Sequence, residues 1–212
     1  VSIADTGVLE PVNNVATHTL SIGGNLINSG AFSALTAPSG ALAVVFDGTG
    51  AQAISSTTAL TFVDLAIGNP NSVDLNVNAT VNGALNLGGD LRTGNQVLTM
   101  GSLATSSGAG DVVGNVVRNV AAGITYSFGN PDVMITFSYL GSVSSVTVNL
   151  SKSTPVDFGN AISRLYTITP NGAGYTATLR LRYLDSELNG NAEANLQFWR
   201  YDGSRWVVVP KT

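Results

Sequence analysis

From Leu42 to Met100 the chain alternates short apolar runs with Gly/Asn corners and carries few charges in between. Residues 41–46 lead into Asp47-Gly48-Thr49-Gly50, residues 60–67 into Gly68-Asn69-Pro70-Asn71, and residues 81–87 into Gly88-Gly89. Gly and Asn tolerate the left-handed backbone that tight corners demand. Strand-sized runs with corners at near-regular intervals predict a parallel β-helix, a solenoid of stacked coils, over residues 13–110. Residues 1–12 precede the clear repeats and read either as an N-terminal extended arm or as the first rung of that solenoid.

A different pattern follows the Ser/Gly-rich seam at residues 103–114. Runs at 133–139, 143–150, 165–168, 175–183, 196–201 and 206–209 alternate or nearly alternate. They are separated by Gly141-Ser142, Pro155, Pro170-Asn171-Gly172, Asn189-Gly190-Asn191 and Asp202-Gly203. These turn chemistries predict an antiparallel β-sandwich over residues 111–212. The clearest local feature is a hairpin in which Asp202-Gly203 joins two aromatic strands. The fold class expected is therefore all-β, a parallel β-helix followed by an antiparallel β-sandwich.

Composition fits this picture. The 212 residues are 44% hydrophobic and 10% charged, with 24 glycines, which is enough to bury a sizeable core and argues against a disordered chain. Of fifteen aromatic residues, Phe32, Phe46 and Phe62 precede residue 110 and the other twelve begin at Tyr126. Small residues are accordingly expected inside the narrow solenoid and aromatic ones between the sandwich sheets. Charge divides in the same region. Residues 1–91 hold six acids and no Lys or Arg, about −6, and the remainder holds nine bases and seven acids, about +2. Opposite signs on the two parts favour head-to-tail contact between copies at short range. An acidic chain with scattered Arg has no basic stripe to displace counterions from phosphates, which argues against nucleic-acid binding.

There are no cysteines, so neither disulfides nor Cys-based metal sites arise. A start at Val1 is expected of a processed product or a fragment. No apolar run reaches the ~18 residues of a helical membrane span, so no membrane insertion is expected.

Residues 20–102 resemble the β-helical repeats of large secreted bacterial surface proteins, common in Bacteroidetes and neighbouring phyla. The likeness is carried by Gly24-Asn25-Leu26, Asn28-Ser29-Gly30, Val45-Phe46-Asp47-Gly48-Thr49-Gly50, Val81-Asn82-Gly83-Ala84-Leu85 and residues 91–101. The later part resembles the β-sandwich that often succeeds such repeats, through Val113-Gly114-Asn115-Val116-Val117-Arg118, Tyr126-Ser127-Phe128-Gly129, Arg164-Leu165-Tyr166-Thr167-Ile168, residues 182–190 and Trp199-Arg200. The resemblance implies an extracellular, cell-surface location and no particular reaction. It departs in length: such repeats usually belong to longer chains with a C-terminal sorting domain, so either a fragment or one complete building unit is expected.

Candidate chemistry is sparse, and no catalytic, cofactor-binding or metal residue is assigned. His18, the single histidine, lies in an alternating run without a nucleophile turn and reads as an exposed strand residue. The acids before residue 91 fall mostly at corners, where solvated turn-formers explain them better than the paired carboxylates of a polysaccharide-active enzyme. Residues 185–193 gather oxygen ligands without EF-hand spacing, so a turn is expected there and a loop-stabilising Ca²⁺ is the alternative. Arg180, Arg182 and Arg200 with Tyr183, Trp199 and Tyr201 could form a face that stacks on sugar rings, with ordinary core-in, charge-out packing as the competing account. The function expected is a secreted structural protein, not an enzyme, self-associating through β-edges or solenoid ends into a filament, stalk or matrix. Its partners would be copies of itself, head to tail. The alternative is an adhesin or carbohydrate-binding module that meets surface glycans.

Overall fold

A computed structural model describes residues 1–10, 17–32 and 41–210. It is all-β, with a parallel solenoid of about five turns and antiparallel sheets toward the C-terminus. Each full turn has three sides. The first is β1 (Ser2–Ile3), β2 (Val8–Leu9) and β3 (His18–Ile22), and the second β4 (Leu26–Asn28), β5 (Ala31–Phe32) and β6 (Leu42–Phe46). The third is β7 (Gln52–Ser56), β8 (Leu60–Phe62) and β9 (Asp64–Ile67), and the fourth β10 (Val73–Leu75), β11 (Ala79–Val81) and β12 (Ala84–Leu87). In the fifth, β13 (Leu91–Met100) covers two sides with a register shift between Arg92 and Val97, and β14 (Thr105–Ser107) makes the third. Corresponding strands stack in parallel, β1-β4-β7-β10-β13 on one side and β3-β6-β9-β12-β14 on another.

The runs at 60–67 and 81–87 each prove to be two strands bent at a corner. Asn82-Gly83 supplies one bend, and there the Ala84 N–H donates to the Asp64 carboxylate at 2.6 Å. Inward positions line up from coil to coil as Leu20, Val44, Leu65, Leu85 and as Ile22, Phe46, Ile67, Leu87. Phe46 and Phe62 are fully buried. The interior is therefore filled by large aliphatic and aromatic side chains rather than the small residues expected, because three sheets enclose a prism wide enough for them. Each such side chain contributes about 1.5–3 kcal/mol on burial.

Residues 1–10 lie on the solenoid. Ser2 pairs with Ile27, Ile3 with Asn28 and Val8 with Ala31, and the Val1 ammonium donates to the Asn25 carbonyl at 2.7 Å. This is the arrangement of a first rung. Residues 11 and 12 of the expected segment lie outside the described residues.

The solenoid sheet crosses the expected seam without a break. β15 (Val112–Asn119) pairs in parallel with β13 and antiparallel with β18 (Ser145–Ser151), which pairs with β19 (Leu165–Pro170). A second antiparallel sheet holds β16 (Thr125–Phe128), β17 (Asn130–Tyr139) and β20 (Thr176–Arg180). Val116, Val146 and Val148 belong to one buried cluster with Ile135, Phe137 and the solenoid interior, so the two regions share a core. The hairpin of β21 (Phe198–Tyr201) and β22 (Trp206–Val209) turns at Gly203, whose φ of 102° suits glycine.

Two strands are shorter than their sequence runs. β20 stops at Arg180 because the following residues turn toward the solenoid, with Arg182 Nη1 donating to the Ala109 carbonyl at 2.6 Å and Tyr166 Oη donating to the Arg182 carbonyl at 2.8 Å. A single-turn 3-10 helix at Glu193–Asn195 delays the start of β21 to Phe198.

Candidate functional site

The densest chemistry is a buried charge cluster at the corner where solenoid and sandwich meet. Arg164, just before β19, has a fully buried side chain. Its Nε and Nη2 donate to Glu187 Oε2 and Oε1 at 2.6 and 2.9 Å, and its Nη2 and Nη1 donate to Asp111 Oδ2 and Oδ1 at 2.7 and 3.3 Å. Nη1 also donates to Tyr166 Oη at 2.8 Å. One planar guanidinium thus holds two carboxylates in bidentate fashion, the geometry that fits Arg and not Lys. Lys152 adds a bridge from the rim, with Nζ 3.0 Å from Asp111 Oδ2 and 2.7 Å from Asp90 Oδ2. Arg182 lies 3.6 Å from Asp111 Oδ1.

Burial alone would raise the Asp111 carboxyl, but the bonds to Arg164 and Lys152 outweigh it and hold the group below its usual range. Burial acts against the Lys152 charge too, and Asp90 and Asp111 overcome that and hold its ammonium above the ordinary value. Burial pushes the Tyr166 phenol up. Three acids and three bases balance, and each Asp111 oxygen faces two cations. The arrangement clamps chain segments together; a general acid or base needs a carboxyl free to exchange its proton near neutral pH.

The chain matches no known family model, curated protein or solved structure among those compared with it.

A second buried cation closes the end of the solenoid. Arg118 on β15 is 2% exposed, and no carboxylate lies within ion-pair distance of it among the described residues. Its Nη2 donates to the carbonyls of Gly101, Ser102 and Ala104 at 2.9, 3.3 and 2.8 Å, and its Nη1 to the Ser127 carbonyl at 3.0 Å. The guanidinium carbon lies 4.9 Å from the centre of the Tyr126 ring. Carbonyl dipoles and an aromatic face replace a counter-ion. Burial draws its pKa below the usual value.

The residues singled out from the sequence are scattered. His18 lies on β3 and is half-buried rather than exposed, because its strand neighbours Leu42 on the coil above. In residues 185–193 the ligand oxygens diverge. Glu187 turns inward to Arg164, Glu193 accepts from Tyr183 Oη at 2.6 Å, and Asn189 and Asn191 spend their amides on the carbonyls of Ala161 and Asn160 at 3.0 and 2.9 Å. No group of three or more His, Cys, Asp or Glu able to hold a metal occurs among the described residues. Nor do the three arginines share a face with the aromatics. Arg180 pairs with Asp132 at 2.8 Å, Arg182 reaches the solenoid, Arg200 alternates to the face of β21 opposite Trp199 and Tyr201, and those two rings form a separate cluster with Trp206 and Phe158 on the hairpin side.

Sequence reading missed Asp111, Arg164, Lys152 and Arg118 as structural centres. For Arg118 a signal existed, since alternation from Val112 and Val116 places it on the inward side of its strand. For Arg164 none did, because its two carboxylates lie 53 and 23 residues away in the chain.

Two surface grooves lie on the solenoid side, and one of them borders the cluster at Asp90 and Lys152. One is lined by Asp74, Asn76, Arg92, Thr93, Asn95 and Gln96, and the other by residues that include Asn71, Asp90, Arg92, Lys152 and Leu184. They share Arg92, and both open outward.

Proposed function

We propose that this chain is a structural module of an extracellular bacterial surface assembly, acting by self-association rather than by turnover of a substrate. The observation that carries this reading is the asymmetry of the solenoid. Its last coil continues into antiparallel strands, while β1 is a sheet edge among the described residues. An unpaired edge offers a row of backbone donors and acceptors that another chain satisfies. A filled interior and a cluster whose carboxylates are all bound to cations suit a rigid building block. The secreted, cell-surface location rests on the sequence resemblance and on a Gly-, Ser-, Thr- and Asn-rich composition. No helix among the described residues is long and apolar enough to cross a membrane.

Sedimentation and electron microscopy of the purified chain test the proposal. Particles containing more than one chain in defined order are expected. A single species of 21.7 kDa at every concentration overturns it.

A second reading, as an adhesin or sugar-binding module, draws on one observation. Trp199 and Tyr201 are 37% and 49% exposed on the same face of β21, a size and shape on which pyranose rings stack. Binding on a glycan array that is lost in Trp199→Ala favours this reading over the first.

A further inference from the structure

The three-stranded sheet of the sandwich, β16-β17-β20, is finished on one side and open on the other. Thr125 lies opposite Thr136 and Thr136 opposite Thr178, and the Thr125 and Thr136 hydroxyls bond at 2.7 Å. These threonines form a row on the solvent face. In the adjoining row, Tyr126, Ile135 and Leu179 lie opposite one another on the core face. Tyr126 and Ile135 are 7% and 1% exposed, whereas Leu179 is 39% exposed. The core row loses its cover at β20, because no strand lies beyond it among the described residues.

β20 also lacks the devices that keep sheet edges apart, which are proline, exposed charge or a bulge in the edge strand itself. β19, the edge of the other sheet, ends in Pro170, which has no N–H to offer a neighbour. The centre of β20, Ala177-Thr178-Leu179, contains no charged residue, proline or glycine. Its one charge, Arg180, stands at the end of the strand and is paired with Asp132 at 2.8 Å.

We propose that β20 is a contact surface between two copies of this chain, which pair along it in antiparallel fashion across a two-fold axis at Thr178. The inference rests on the self-association reading and names its contact. A second copy fits because the strand is complementary to itself in this register. Thr178 meets the partner's Thr178 and carries the threonine row across the axis. Ala177 meets the partner's Leu179, a small side chain against a large one, so each exposed leucine gains the cover it lacks. Two antiparallel sheets of three strands become one of six in which every neighbour is antiparallel, with both core faces on the same side. The same patch serves on both copies, as a two-fold contact requires. One strand edge is smaller than the ~1,600 Å² of a standard interface, so the pair is reversible rather than permanent.

The test compares the full chain with Thr178→Lys and Thr178→Glu by sedimentation up to near-millimolar concentration, with thermal melts at the lowest. Thr178 is exposed on the solvent face, so neither change is expected to move the melting temperature. Wild type is expected to pair. Each variant alone sets like charges opposite one another and is expected to pair at least about tenfold more weakly, while an equimolar mixture of the two is expected to recover the wild-type strength. Amide exchange over wild-type residues 176–180 is read alongside and is expected to slow as concentration rises, which keeps the test decisive should a variant fold poorly. Self-association that ignores both variants, or exchange at 176–180 that ignores concentration, overturns the contact while leaving self-association intact. Variants that weaken pairing without recovery on mixing overturn the two-fold register. A single chain under all conditions overturns the contact and the self-association reading together.

Discussion

Asn69 and Asn130 make the same pair of hydrogen bonds on opposite sides of the expected domain seam. Asn69 Nδ2 donates to the Gly50 carbonyl at 2.7 Å, and its Oδ1 accepts from the Asn71 N–H at 2.8 Å. Asn130 Nδ2 donates to the Gly110 carbonyl at 2.6 Å, and its Oδ1 accepts from the Asp132 N–H at 2.8 Å. Both are almost fully buried, and the sequences around them, Gly-Asn-Pro-Asn and Gly-Asn-Pro-Asp, are nearly the same. The sandwich thus opens with one more solenoid corner. The antiparallel sheets grow out of the end of the solenoid instead of docking as a separate body.

Removing the Asn130 amide strands the buried Gly110 carbonyl and a turn N–H, and removing that of Asn69 takes a donor from the buried Gln52 Oε1 and strands a turn N–H. Asn69→Ala and Asn130→Ala are each expected to cost about 1–3 kcal/mol, measured by urea unfolding. Asn→Asp keeps the acceptor but points a carboxylate at the glycine carbonyl, so Asn130→Asp is expected to cost at least as much as Asn130→Ala. A single unfolding transition common to both variants is also expected, because the two regions share one core and one sheet.

The Asp111–Arg164–Glu187 cluster joins a solenoid corner to the loops before β19 and after β20. Breaking a buried pair on one side leaves the other charge uncompensated. Arg164→Met is expected to destabilise by about 3–5 kcal/mol, because two buried carboxylates then lose their bidentate partner. Lys152→Met acts at the half-exposed rim and is expected to cost well under that, since solvent screens the lost pair. Chemical unfolding followed by tryptophan fluorescence ranks the two; equal costs would place the clamp at the rim instead of at Arg164.

The coil architecture was legible because corners and alternation are local. A Gly-Asn-Pro-Asn corner after an apolar run declares itself within ten residues. The bends inside residues 60–67 and 81–87 were not legible, since an apolar run looks alike whether straight or folded around a prism edge. The charge clusters were hidden for another reason. The uneven charge of the two parts pointed to contact between copies, but the structure spends some of it within one chain, where Lys152 meets Asp90 62 residues back in sequence. Nothing in the neighbourhood of either residue announces the other.

Asp111 also sets a pH dependence. Its folded carboxyl lies below the usual value, so its stabilisation is present above the unfolded value of about 3.9 and is lost as pH falls through the depressed one. Lys152 runs the other way: raised in the fold, it stabilises below its unfolded value of about 10.4 and stops doing so as pH rises through the higher one. Unfolding free energy is therefore expected to be level between these limits and to fall outside both. Asp111→Asn is expected to flatten the acid limb by up to about 1.4 kcal/mol per pH unit, the linkage slope for one proton. Urea titrations across the acid range measure it, and an acid limb unchanged in Asp111→Asn would mean that other carboxyls govern acid unfolding.

Arg118 separates the need for a charge from the need for its hydrogen bonds. Three of its four carbonyl partners belong to the turn after β13, and of these the Gly101 carbonyl also accepts from the Ala104 N–H at 3.0 Å. Methionine matches the length of the side chain and spares the cost of burying a cation, but leaves those carbonyls to water where water can enter. Ser102 is exposed and its carbonyl is readily resolvated; Ala104 is 5% exposed, so its carbonyl is not. Arg118→Met is accordingly expected to cost about 1–3 kcal/mol, the penalty of an unsatisfied buried acceptor, with the loss concentrated at one carbonyl. Arg118→Lys keeps three donors on a narrower head and is expected to fall between Met and wild type. Amide exchange of residues 101–106 gives a readout that bulk stability does not: faster exchange there in Met than in Lys, with β3 and β6 unchanged, locates the effect at the capped corner. Uniform acceleration along the whole solenoid would show instead that Arg118 serves the core as packing volume.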